Sequence, residues 1–225
     1  AAAYPNFQSW QKDRQVRQAV IKVKSLISGI NTQVQRGAYT YVQFEIKPED
    51  DSITFNTRGL SAGQVGMMKT KDSLWQVGAS NSGKCVIDDI DANYWMPDAS
   101  ALDTPTETED TSTDAEDSGE GEEETGAGIV ASYKSDDITV DVTVTAAVCF
   151  SKDDTYYGTN GLESGNFHIC PRSGTDSLCH ISTTGGPGTA ASEDVQKNLF
   201  RVSWSRFGAV KLEKYDIDDE AWYTQ

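Results

Sequence analysis

Histidine is nearly absent from this 225-residue chain, which has two. Neither stands in a G-x-S-x-G, H-E-x-x-H or Cys-His nucleophile context, so those hydrolytic chemistries have no carrier. Basic residues are scarce, 19 against 35 acidic, and a net charge of −16 argues against long-range attraction to nucleic acid or an anionic membrane surface. No run of 18 or more apolar residues occurs, so no segment reads as a bilayer-spanning helix. Gly59, Gly63 and Gly66 are too widely spaced for a G-x-G-x-x-G turn, and TTGGPG at 183–188 lacks the Lys and following helix of a phosphate loop. These glycines read as loop punctuation. There is no internal repeat.

What is present begins with a helix. Val16, Val20, Val23, Ile27, Ile30 and Val34 recur at gaps of four and three, which places all six on one helical face. Lys12, Asp13, Gln15, Lys22, Ser25 and Gln33 lie opposite. The pattern predicts a helix over residues 1–37 that stops at Gly37, where a missing Cβ suits a left-handed C′ position. At about 1.5 Å per residue it is roughly 50 Å long, more than the edge of a compact domain needs. Its basic residues (Lys12, Arg14, Arg17, Lys22, Lys24) form a local patch in an acidic chain.

Strand signals follow. Val42, Phe44 and Ile46 alternate with Gln43 and Glu45, and residues 53–56 return as a hairpin arm after an acidic turn. Further strands are expected at 74–77, 84–87, 129–134, 138–150, 166–170, 200–204 and 209–215. The Ile138–Val140–Val142–Val144 alternation reads as one half-buried antiparallel strand with Thr139, Asp141, Thr143 and Thr145 facing water. Residues 97–128 are different material, without aromatics and dominated by Asp, Glu, Thr, Ser and Gly, and read as a solvated acidic insertion. Residues 103–124 hold 11 carboxylates and no base; without them 24 acidic residues face 19 basic ones, a balance of −5. No EF-hand calcium loop is present. A long amphipathic helix followed by antiparallel strands predicts an α+β protein, with the helix's apolar stripe laid on one sheet face.

Three stretches carry a family resemblance. AAAYPNFQSW is similar to the junction where a pilin's hydrophobic helix gives way to its amphipathic half. QVRQAVIKVKSLISGINTQVQRGAYTYVQFEI resembles the family's run from helix into first strand, and FRVSWSRFGAVKLEKYD its closing hairpin. Between them VCFSKDDTYYGTNGLESGNFHICPR resembles its penultimate strand pair. The chain thus resembles the type IV pilin superfamily, and within it the GspH/FimT/FimU-like minor pilins and type II secretion pseudopilins.

The resemblance implies a pilin-like fold, with an N-terminal helix at 1–37 and a β-rich head at 38–225 interrupted by 97–128. It implies a non-enzymatic structural subunit, without cofactor, metal or small-molecule substrate, whose partners are other pilin subunits in homo- or hetero-assembly. It also implies a form lacking the apolar segment that anchors the subunit in the inner membrane before assembly into a surface pilus. Tyr4, Pro5, Phe7 and Trp10 are then the candidate assembly interface, with Pro5 loosening the helix where membrane segment meets head. The alternative is a pilus-surface adhesin or DNA-uptake module. For DNA the candidate contacts are Arg201, Arg206, Lys211 and Lys214, with Trp204 and Phe207, although a solvated hairpin edge is the preferred reading.

His168, Cys170, Cys179 and His180 form H-x-C-x₈-C-H, two sulfurs and two nitrogens that could suit zinc. The spacing matches no standard finger. An even cysteine count in a Thr-, Ser-, Gly- and Tyr-rich chain is exported usage and favours disulfides. Four cysteines allow three pairings; the expected one joins Cys170 to Cys179 and Cys85 to Cys149. The aromatics of the acidic tail, Trp222 and Tyr223, either fold back on the head or meet a neighbouring subunit, with the second preferred.

Overall fold

A computed structural model describes residues 5–71, 85, 129–152, 156–172, 178–183, 185–205 and 209–225. The expected strands at 74–77 and 84–87 and the acidic insertion lie outside these residues, except Cys85.

Helix α1 spans Pro5–Gln35. All six residues of its predicted stripe are buried, at 3% exposure or less, and Ala19 and Leu26 widen the contact. Gly37 ends the helix at φ 78°, its N–H donating to the Val34 carbonyl at 2.9 Å. Strands β1 (Tyr41–Pro48) and β2 (Ile53–Leu60) form the expected hairpin, and β3 (Ile129–Ser135) adds to β2. On the other side of β1 come β5 (Ala146–Ser151) and then β6 (Tyr156–Gly158), completing a five-stranded antiparallel sheet in the order β3-β2-β1-β5-β6.

A second five-stranded sheet has the order β10-β9-β8-β7-β4, from β4 (Ile138–Val140), β7 (Asn166–Pro171), β8 (Phe200–Trp204), β9 (Val210–Asp216) and β10 (Ala221–Thr224). This corrects the α+β, pilin-like expectation of one helix laid on one antiparallel sheet. The described fold is β-rich, two antiparallel sheets sharing one core with α1. The physical cause lies at 138–150, read above as a single strand. The chain pairs with β7 as far as Val140, crosses between sheets over 141–145, and resumes beside β1 at Ala146. Val142 is buried on this crossing while Val144 is 54% exposed, so the alternation belongs to no single strand. Thr139, expected to face water, is 1% exposed.

The rings of Tyr133, Phe55, Phe44, Phe167 and Trp204 run in a line from one sheet to the other, each 6.0–6.2 Å from the next. Helix α1 packs on strands of both sheets above this line. Strand β1 is buried on both faces, because Cys85 and helix α2 (Ala62–Lys71) cover the side away from α1. Gly63 and Gly66 lie inside α2 and Gly59 inside β2, not in loops. At Gly59 a Cβ would sit 2.6 Å from the Tyr39 ring, so the absent side chain permits that approach.

Candidate assembly surface

With one face of α1 in the core, its other face defines what the helix offers outward. Trp10 and Ile21 are 54% and 52% exposed, and Arg14 and Arg17, also exposed, lie between them on the same face. The Arg14 guanidinium sits 5.7 Å over the Trp10 ring, within reach of a cation–π contact. Among the described residues Arg14, Arg17, Lys22 and Lys24 enter no ion pair, whereas Arg58, Lys134, Lys197, Arg201 and Lys211 each have a carboxylate partner. The helix's one acid, Asp13, is turned to the head, where it accepts from Asn198 Nδ2 at 2.5 Å. Of the four predicted interface residues, Trp10 is thus exposed, Pro5 and Phe7 belong to α1, and Tyr4 lies outside the described residues. Ile21 was not singled out from the sequence; its place on the helix face away from the Val16–Val34 stripe was the signal.

Two of the four candidate nucleic-acid residues are engaged by a carboxylate. Arg201 donates through Nε and Nη2 to Glu213 Oε2 at 2.9 and 2.8 Å, and Lys211 donates to the other oxygen at 2.6 Å. Burial pushes the Glu213 carboxyl up, but the hydrogen bonds and charges of Lys211 and Arg201 outweigh it and hold the group below the usual carboxylate range. Lys214 lies 5.9 Å over the Phe200 ring, Trp204 is buried in the core, and Arg206 and Phe207 are outside the described residues. Paired cations and a buried indole do not make a base-stacking platform.

The structure joins Cys85 to Cys149 and Cys170 to Cys179, with Cα separations of 5.7 and 5.8 Å. Oxidised sulfurs cannot bind zinc, which dissolves the H-x-C-x₈-C-H constellation. His168 has another occupation: its Nδ1 meets Asp141 Oδ2 at 2.6 Å and its backbone N–H donates to Asp141 Oδ1 at 2.8 Å. That pairing clamps the start of the 141–145 crossing to β7. The disulfides place the protein in a non-cytoplasmic, secreted or surface setting. No helix among the described residues is long and apolar enough to cross a membrane.

The tail folds back rather than standing free. Strand β10 pairs with β9, and Trp222 lies between Arg201, 4.4 Å from its ring, and the rings of Tyr215 and His168 at 5.3 and 5.5 Å. Tyr223 stays exposed, its hydroxyl donating to Asp219 at 2.7 Å, which pushes the phenol above its ordinary value. The turn between the strands carries Ile217, 44% exposed, with Asp218 and Glu220 unpaired among the described residues. No protein-family model, curated protein or solved structure matches the chain.

Proposed function

We propose that this chain is a non-enzymatic structural subunit of an extracytoplasmic assembly, of the pilus or pseudopilus kind its sequence resembles, and that it joins other subunits through α1. One observation carries the reading: a helix whose inner stripe is fully used in its own core keeps Trp10, Arg14, Arg17 and Ile21 aligned on its outer face. Isolated exposed apolar residues are ordinary on protein surfaces, but two large ones bracketing arginines that have no ion pair among the described residues make a continuous patch suited to a partner. The disulfides and two-sheet core supply a rigid head from which the helix projects its outer face. An adhesin or DNA-binding role draws no support from the last hairpin, where Arg201 and Lys211 are both engaged by the Glu213 carboxylate.

Sedimentation velocity over a concentration series tests this. The expected result is reversible association that Ile21→Glu weakens without changing the thermal unfolding midpoint. A chain that stays monomeric throughout, or associates equally well with Glu at position 21, contradicts it.

A further inference from the structure

The assembly reading leaves open which surface of a neighbour meets α1, and the charge map narrows it. Within Pro5–Gln35 five basic residues stand against one acid, in a chain of net charge −16. The complementary surface needs acids without cationic partners and exposed apolar side chains beside them. Several turns are acidic, but at the first hairpin Glu49 is engaged by Lys134 at 2.9 Å and by Lys47 at 3.5 Å, and beside the exposed Asp50 and Asp51 no large apolar side chain is exposed among the described residues. The β9–β10 turn meets both conditions: Ile217 and Tyr223 are 44% and 47% exposed, and Asp218 and Glu220 have no ion-pair partner among the described residues.

We propose that the outer face of α1 docks the β9–β10 turn of a second copy of this chain, Arg14 and Arg17 against Asp218 and Glu220, with Ile21 and Trp10 against Ile217 and Tyr223. The proposal rests on the assembly reading and gives it a partner surface. The turn is built to be presented: the Asp216 carboxylate accepts from the Asp218 N–H at 2.9 Å, Glu220 takes φ 48°, and Tyr223 braces Asp219. Asp218 and Glu220 are thereby held on a fixed loop, so that less side-chain and loop ordering opposes docking. Two copies of a −16 chain repel at long range, yet at physiological salt the Debye length is about 8 Å, so repulsion between distant charges is screened while contact pairs persist. Unlike patches meeting in this way permit either a reciprocal twofold pair or a run of subunits.

A charge-exchange experiment tests it on the intact chain. One variant carries Arg14→Glu with Arg17→Glu, the other Asp218→Lys with Glu220→Lys, all at exposed positions. Each alone has like charges on both patches and is expected to lose association at least about tenfold in Kd relative to the unsubstituted chain. Mixed in equal amounts, the two carry opposite charges at every contact and are expected to associate again. The mixture also controls for the altered net charge of each variant. If the unsubstituted chain associates but the Asp218→Lys, Glu220→Lys variant does so equally well, or the mixture stays monomeric, the turn is not the partner surface and assembly through α1 stands on its own test. If the Arg14→Glu, Arg17→Glu variant associates equally well, the outer face of α1 is not the contact and both readings fall. If the unsubstituted chain does not associate at all, both readings fall.

Discussion

Glu213 ties two cationic side chains of the second sheet to one buried carboxylate. It is 6% exposed and receives Arg201 and Lys211 on its two oxygens. Its carboxyl titrates below the usual range in the folded chain and near about 4.3 unfolded, so the unfolded state binds the proton first as pH falls. Its stabilisation is therefore complete above the unfolded value and lost as pH drops through the folded one. Glu213→Gln is expected to cost about 1–2 kcal/mol near neutral pH and to flatten the decline of the urea midpoint as pH falls below the unfolded carboxylate value. An unchanged slope in the variant contradicts this. The pairing of Arg201 with Glu213 was not legible in the sequence, because cross-strand partners are set by hairpin register, not by spacing along the chain. The same holds for Gln43 and Glu45, which alternate like wet-face residues. They are buried with polar partners on that side, Gln43 donating to the Cys85 carbonyl at 3.2 Å and Glu45 accepting from Arg58 at 3.2 Å and Asn56 at 3.1 Å.

Among the elements, α1 was the most legible, since a 3.6-residue period sustained from Val16 to Val34 has no other physical solution than one buried helical face. The strands with aromatic or β-branched alternation, β1, β2, β7, β8 and β9, were legible for the corresponding reason. Residues 138–150 were not, because an alternation of valines and threonines is satisfied equally by a strand and by a crossing that buries Val142 and exposes Val144. The three-residue β6 and four-residue β10 were too short to show a period at all. The two faces of α1 differ sharply in their stability roles. Ile27→Ala, in the core, is expected to cost about 2–4 kcal/mol in chemical denaturation, and Ile21→Ala, on the outer face, less than about 0.5 kcal/mol. Comparable losses at both positions contradict the burial assigned to α1.

For the whole molecule, the sequence indicated an oxidised, strongly acidic, strand-rich chain, but it did not reveal the second sheet. Composition reports on compartment and charge, whereas the division of strands between sheets depends on long-range pairing. The two disulfides act on different scales. Cys85–Cys149 closes a separation of 64 residues and Cys170–Cys179 one of 9, so chain-entropy reasoning gives about 4 and about 2.6 kcal/mol respectively. Denaturant midpoints of the paired Cys→Ser variants are expected to follow that order; the reverse order contradicts it.

The central claim is that the outer face of α1 meets another copy, and photo-crosslinking tests it most directly. A photoreactive residue at position 21 is compared with one at position 144, where Val144 is equally exposed but lies on the crossing between sheets. The account expects a covalent dimer from position 21 and little from 144. Equal yields from the two positions, or none from position 21, would contradict it.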